Sequence, residues 1–155
     1  MHAMVTAGHR ALRKGRLSLP NQVYHLTVTT AGRAPLFADP RAACAAGRRF
    51  EDAKLLADAT MLAWVLMPDH AHWLLQLGEA KSLQKVVESL KATTGREVNR
   101  ALDRSGAVWA RSFHDRALRC DDDLRTVARY LIANPLRGGL VRRIGDYPYW
   151  NAVYL

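Results

Sequence analysis

Met61-Leu62-Ala63-Trp64-Val65-Leu66-Met67-Pro68-Asp69-His70-Ala71-His72-Trp73-Leu74-Leu75-Gln76-Leu77 reads as two strands joined at Pro68-Asp69. The first half is an apolar run suited to a buried strand, and the proline-marked turn sends the chain back as a hairpin. Side chains two residues apart on a strand share a face. His70 and His72 therefore project together with Leu74 and Gln76, while Ala71, Trp73, Leu75 and Leu77 face a core. Two adjacent imidazoles can hold one divalent metal, and the same short pattern also describes a hydrogen-bonded surface pair.

Outward from this hairpin, Gln22 to Thr30 is rich in Val, Tyr and Thr and predicts a first strand. Val23, His25, Thr27 and Thr29 take one face of it; Tyr24, Leu26, Val28 and Thr30 take the other. A lone strand histidine is commonly structural, so His25 stays outside the catalytic set. Asp39-Pro40 predicts a helix start, with apolar spacing through Asp58 and a weak point at Gly47. Ser82 opens a longer helix to about Leu102, in which Leu83, Val86, Val87 and Leu90 recur at helical spacing. Phe113 to Leu118 predicts a fourth strand. Asp121, Asp122 and Asp123 then open a third helix, running to about Asn134-Pro135.

Strand, helix, strand, strand, helix, strand is the split βαβ pattern of a ferredoxin-like sandwich. The expected fold class is thus α+β: an antiparallel four-stranded sheet covered on one face by two helices, with an additional C-terminal helix. The histidine pair is expected on the opposite face, beneath that extra helix.

The 155 residues suit one domain, preceded by a basic arm over residues 1–20. No run approaches the length of a membrane helix and no signal-peptide pattern opens the chain, so the expectation is a cytoplasmic protein with no membrane partner. Cys44 and Cys120 form no C-x-x-C and read as free thiols. Lys and Arg total 23 against 14 acids, a formal charge of +9, and 18 of the 23 are arginine, which suits bidentate phosphate contacts. No acid precedes Asp39, and residues 124–145 carry five arginines and no acid. Such clustering is an electrostatic footprint for nucleic acid, set against the plainer reading of a basic soluble surface.

On the third helix Tyr130 and Asn134 are four residues apart and share a face. Above the histidine pair they complete a site, with Asn134 as a third metal ligand and Tyr130 as a nucleophile. A carbonyl oxygen with two imidazoles suits Mg²⁺ or Mn²⁺. The alternative packs Tyr130 in the core and leaves Asn134 to cap the helix before Pro135.

These residues carry a resemblance to the REP-associated tyrosine transposases, relatives of the HUH-class single-strand transposases. Met67-Pro68-Asp69-His70-Ala71-His72 resembles the family's Met-Pro-Asn-His-hydrophobic-His segment, with Asp69 in place of Asn. Tyr130 to Asn134, followed by Pro135-Leu136-Arg137-Gly138-Gly139-Leu140, resembles its tyrosine segment. Gly106 to Trp109, Arg111 to Arg116, Tyr24 to Thr27 and the late Tyr147-Pro148-Tyr149-Trp150 match in order.

The resemblance implies an HUH-type catalytic domain over residues 21–155. It would cleave and rejoin single-stranded hairpin DNA, from repetitive extragenic palindromes, through a 5′-phosphotyrosine. It further implies His70, His72 and Asn134 on Mg²⁺ or Mn²⁺, Tyr130 as nucleophile, a monomer or homodimer, and a place at the nucleoid. Arg10, Arg13, Lys14 and Arg16 are candidates for the hairpin foot; Arg111, Arg116, Arg119, Arg129 and Arg137 are candidates for a phosphate track. Trp109 and Phe113 are candidates for base stacking or for core packing. The competing functions are a catalytically weak hairpin-binding protein, which Asp69 would suit, and a water-using phosphodiesterase with Tyr130 structural.

Overall fold

The computed structural model describes residues 19–119 and 122–153. Arg10, Arg13, Lys14 and Arg16 of the basic arm, together with Cys120 and Asp121, lie outside the described residues.

The strands are β1 (Val23–Thr29), β2 (Thr60–Met67), β3 (His70–Gln76), β4 (His114–Ala117) and β5 (Trp150–Ala152). They form one antiparallel sheet in the order β4-β1-β3-β2-β5. The first four follow the split βαβ arrangement, so the α+β sandwich stands, and the sheet gains a fifth strand beyond the four expected. β5 is only three residues long and follows a proline. It is fixed from outside itself: the Tyr147 hydroxyl donates to the Leu66 carbonyl, and the Leu66 amide donates to the Tyr149 carbonyl.

The helices are α1 (Pro40–Gly47), α2 (Ala53–Leu56), α3 (Leu83–Leu102), α4 (Leu124–Ile132) and α5 (Asn134–Arg137). Asp39, Asp52, Ser82 and Asp123 cap the first four by accepting a backbone N–H within the first turn. The single helix expected from Asp39 to Asp58 is split in two. A Cβ at Gly47 would meet the Trp64 ring at 3.1 Å, so the glycine that weakens the helix is also what lets the indole close against it.

Two cores flank the sheet. On one face α1 and α3 cover Tyr24, Leu26, Val28, Trp64, Leu66, Ala71, Trp73 and Leu75. Trp109 and Phe113 are buried in this core, and Trp109 donates to Thr94 Oγ1 at 2.9 Å, so neither is offered to a base. On the other face α4 lays Ala128, Leu131 and Ile132 over Ala63, Val65, Met67 and Leu74.

The tyrosine-bearing helix depends on this second, smaller core. Leu131→Ala removes the most deeply buried large side chain that α4 contributes and is expected to cost about 2–4 kcal/mol. Urea unfolding checks it, with half-buried Leu124→Ala as the milder comparison.

Candidate catalytic site and nucleic-acid face

The register of β1 against β3 opposes Thr27 to His72 and Thr29 to His70, while β2 opposes Val65 and Met67 to the same two histidines. Both imidazoles therefore emerge on the α4 face, as the alternation predicts. Their ring centroids lie 4.9 Å apart, nearly perpendicular.

Each imidazole is held through Nδ1. His70 Nδ1 lies 2.8 Å from Asp69 Oδ1. His72 Nδ1 lies 3.1 Å from His25 Nε2 and 3.2 Å from Thr27 Oγ1. An ionised carboxylate only accepts, so His70 Nδ1 is the donor in this contact. A proton on His72 Nδ1, shared with Thr27 or His25, would leave the Nε2 lone pair of that ring free. Outer partners on the far nitrogen are the usual support of a metal-binding histidine. Partial burial pushes the Asp69 carboxyl up, but hydrogen bonds from His70 and Arg33 outweigh it and hold the group below the usual carboxylate range. Burial, then the nearby His25, His70 and Arg137, lowers His72 to about 3. Burial and then Arg116 lower His25. His72 thus stays neutral at physiological pH, the form a cation requires.

α4 ends at Ile132 and α5 starts at Asn134, so Tyr130 and Asn134 do not share one continuous helix as expected. The break comes from Pro135, which has no N–H to offer Leu131, four residues back. Asn134 Nδ2 donates to that carbonyl instead, at 2.6 Å. Asn134 is therefore a cap through its nitrogen, with its carbonyl oxygen as the end suited to a cation. Two imidazoles and an amide oxygen, with no thiolate, are a donor set unlike that of a closed structural zinc site.

Tyr130 is not a core residue: it is 65% exposed. The Arg137 guanidinium sits 3.8 Å from its ring centroid. A recess of about 440 Å³ is lined by His25, Arg116, Thr126, Val127, Tyr130 and Leu131. Tyr130 thus shares a cavity with His25, which itself contacts His72. The alternation of β1 put His25 on this face; what it could not supply was the register that sets His25 beside His72.

Of the candidate arginines, Arg116 and Arg137 gather around Tyr130, and exposed Arg129 neighbours it on α4. Arg111 lies near the His70 end of the sheet, since the adjacent Ala110 amide donates to Thr29, the partner of His70. Arg119 is at the opposite end: Leu118 N donates to Val23 O, and Arg119 N donates to Asp122.

The family model described as "Transposase IS200 like" matches residues 18–134. The chain belongs to that family. Within it, the sequence is 31% identical over 98 residues to a candidate REP-associated tyrosine transposase of Haemophilus influenzae, covering 57% of this chain and 56% of that protein. It is 26% identical over 90 residues to the REP-associated tyrosine transposase of Escherichia coli, covering 56% and 50%. The chain spans about half the length of the curated relatives it matches. A REP-associated tyrosine transposase solved bound to a REP hairpin superposes with TM-score 0.66 at 21% identity, covering 86% of this chain and 78% of that one. A candidate transposase from Deinococcus radiodurans superposes with TM-score 0.52 at 23% identity, covering 72% and 88%. The two structures establish the fold of this IS200-like chain. Among the described residues no helix is long and apolar enough to cross a membrane.

Between pH 6.5 and about 3 the unfolded chain binds a proton at His72 that the folded chain does not, so stability falls as pH drops through that window. Guanidinium unfolding of the metal-free protein should show a lower midpoint at pH 5 than at pH 7, with a smaller difference in His72→Gln.

Proposed function

We propose that this IS200-like chain is a metal-dependent DNA strand transferase and endonuclease acting on single-stranded hairpin DNA of the REP type. The observation that carries the reading is an exposed tyrosine whose helix docks on the histidine-bearing face and whose recess is shared with His25. Tyr130 Oη attacks the scissile phosphorus. The O3′–P bond breaks, the tyrosine proton is released, and the departing 3′ oxygen takes a proton. The products are a 5′-phosphotyrosine and a free 3′-hydroxyl, and attack by a 3′-hydroxyl reverses the step with no external energy source.

A free tyrosine has a pKa of ~10 and is a poor nucleophile at neutral pH. Arg137, over the Tyr130 ring, and Arg116, in the same recess, place positive charge where the phenolate and the phosphorane develop it. His70, His72 and Asn134 would hold Mg²⁺ or Mn²⁺, which when bound supplies Lewis-acid polarisation of the phosphate. Residues 21–155 form the catalytic domain in this reading, and Arg10, Arg13, Lys14 and Arg16 contact the hairpin foot. Arg111, Arg116, Arg119, Arg129 and Arg137 form the phosphate track. The enzyme works at the nucleoid in the cytoplasm, as a monomer or homodimer.

Incubation with labelled hairpin-bearing single-stranded DNA and Mn²⁺, followed by a denaturing gel, tests this. A protein–DNA adduct is expected, and Tyr130→Phe should abolish it with hairpin affinity retained. Cleavage that survives Tyr130→Phe would point to water as nucleophile; tight binding with no cleavage would leave a hairpin-binding protein. Arg13→Ala should weaken binding and lower the salt slope by about 1. Equal binding losses in Tyr130→Phe and Arg13→Ala would contradict the division of roles.

A further inference from the structure

Asp69 divides its carboxylate between two partners. Oδ1 meets His70 Nδ1 at 2.8 Å, while Oδ2 meets Arg33 Nη2 at 2.9 Å and Arg33 Nε at 3.1 Å. The Asp69 side chain is 30% exposed and that of His70 only 19%, so the pair is partly withdrawn from water. The backbone around it is tied down as well. Thr30, almost fully buried, donates its amide to the Asp69 carbonyl (3.0 Å), and its hydroxyl is shared between that carbonyl (3.1 Å) and the Ala34 carbonyl (2.8 Å). The Phe37 amide donates to the Pro68 carbonyl at 3.0 Å. Arg33 reaches Asp69 from a turn in which Gly32 and Arg33 both hold positive φ, 62° and 56°. A left-handed arginine is uncommon, and this one is retained in a turn that closes an ion pair.

We propose that Asp69 is a positioning residue for cation binding: it fixes His70 as the Nδ1–H tautomer with Nε2 free for a divalent cation, and Arg33 orients the carboxylate that does so. This rests on the two-imidazole cation site proposed above. Free imidazole prefers the Nε2–H form, which would present the wrong nitrogen. A carboxylate on Nδ1 reverses that preference, because it accepts and never donates. An asparagine, the residue of the family motif at this position, can offer either its oxygen or its NH₂, so it enforces the tautomer less strictly.

The test uses the full chain without DNA and has two readouts: the His70 tautomer from ¹⁵N–¹H NMR of the metal-free protein, and Mn²⁺ affinity by calorimetry. The wild type should show Nδ1–H. Asp69→Ala should revert His70 to Nε2–H and weaken Mn²⁺ about 10–100-fold. Asp69→Asn, nearly isosteric and able to preserve the turn, should recover most of the affinity. Arg33→Ala should lose affinity by an intermediate factor. Unchanged tautomer and affinity in Asp69→Ala would overturn the role of Asp69 while leaving the cation site standing. Equal losses in Asp69→Asn and Asp69→Ala would overturn positioning in favour of simple charge. A wild type that binds no Mn²⁺, whatever its tautomer, would overturn the cation site and this role with it.

Discussion

The alternation of β3 between two covered faces is the constraint on which the rest depends. As a central strand, β3 is bonded on both sides, so its register is fixed by β1 and β2 together. Ala71, Trp73 and Leu75 fill the larger core and Leu74 anchors the smaller one, all without measurable exposure. A slip of one residue would exchange the faces, burying two imidazoles under α3 and expelling a tryptophan. Four large or tightly packed apolar contacts thus oppose any displacement of His70 and His72. The site is precise because the core beneath it tolerates no other register.

Most of this frame was legible in the residues. Period-two spacing in β1 and β3 and helical spacing in α3 each have one dominant physical cause, and each appeared where that cause predicts. What was not legible depended on partners distant in sequence. β5 has three residues, too few for a pattern, and exists because Leu66 and Tyr147 supply its anchorage. Gly47 marked the weak point where α1 ends, but the Trp64 ring that closes against it could not be read from residues 40–58. His25 was on the right face from its spacing, yet only strand pairing made it a neighbour of His72.

The end of α4 shows how one local rule can set two functional positions. Pro135 forbids the next helical hydrogen bond, so the chain breaks at Ala133 and Asn134 turns its amide nitrogen back to Leu131. The same break starts the α5 turn that carries Arg137 over the Tyr130 ring. An uninterrupted helix would place residues 130 and 137 on one face too, but about two turns and ~10 Å apart along the axis. The kink lets the guanidinium close onto the phenol, a contact worth roughly 0.5–1 kcal/mol at an exposed ring. Asn134 therefore serves the fold through nitrogen while its oxygen remains suited to chemistry.

Electrostatics bind these pieces into one argument. A chain at +9 attracts phosphate, and positive charge close to a histidine disfavours its protonation. Burial is the larger effect on His72, and the neighbouring histidines and Arg137 add to it; Arg116 adds to burial at His25. Arg137 and Arg116 thus reinforce what burial does at His72 and His25, favouring the neutral imidazole at both. Asp69 is the local exception, an acid in direct contact with His70, and its own charge is matched by Arg33. That pairing keeps a carboxylate beside the histidines with its charge matched. A lone acid there would weaken the attraction that the remaining arginines create.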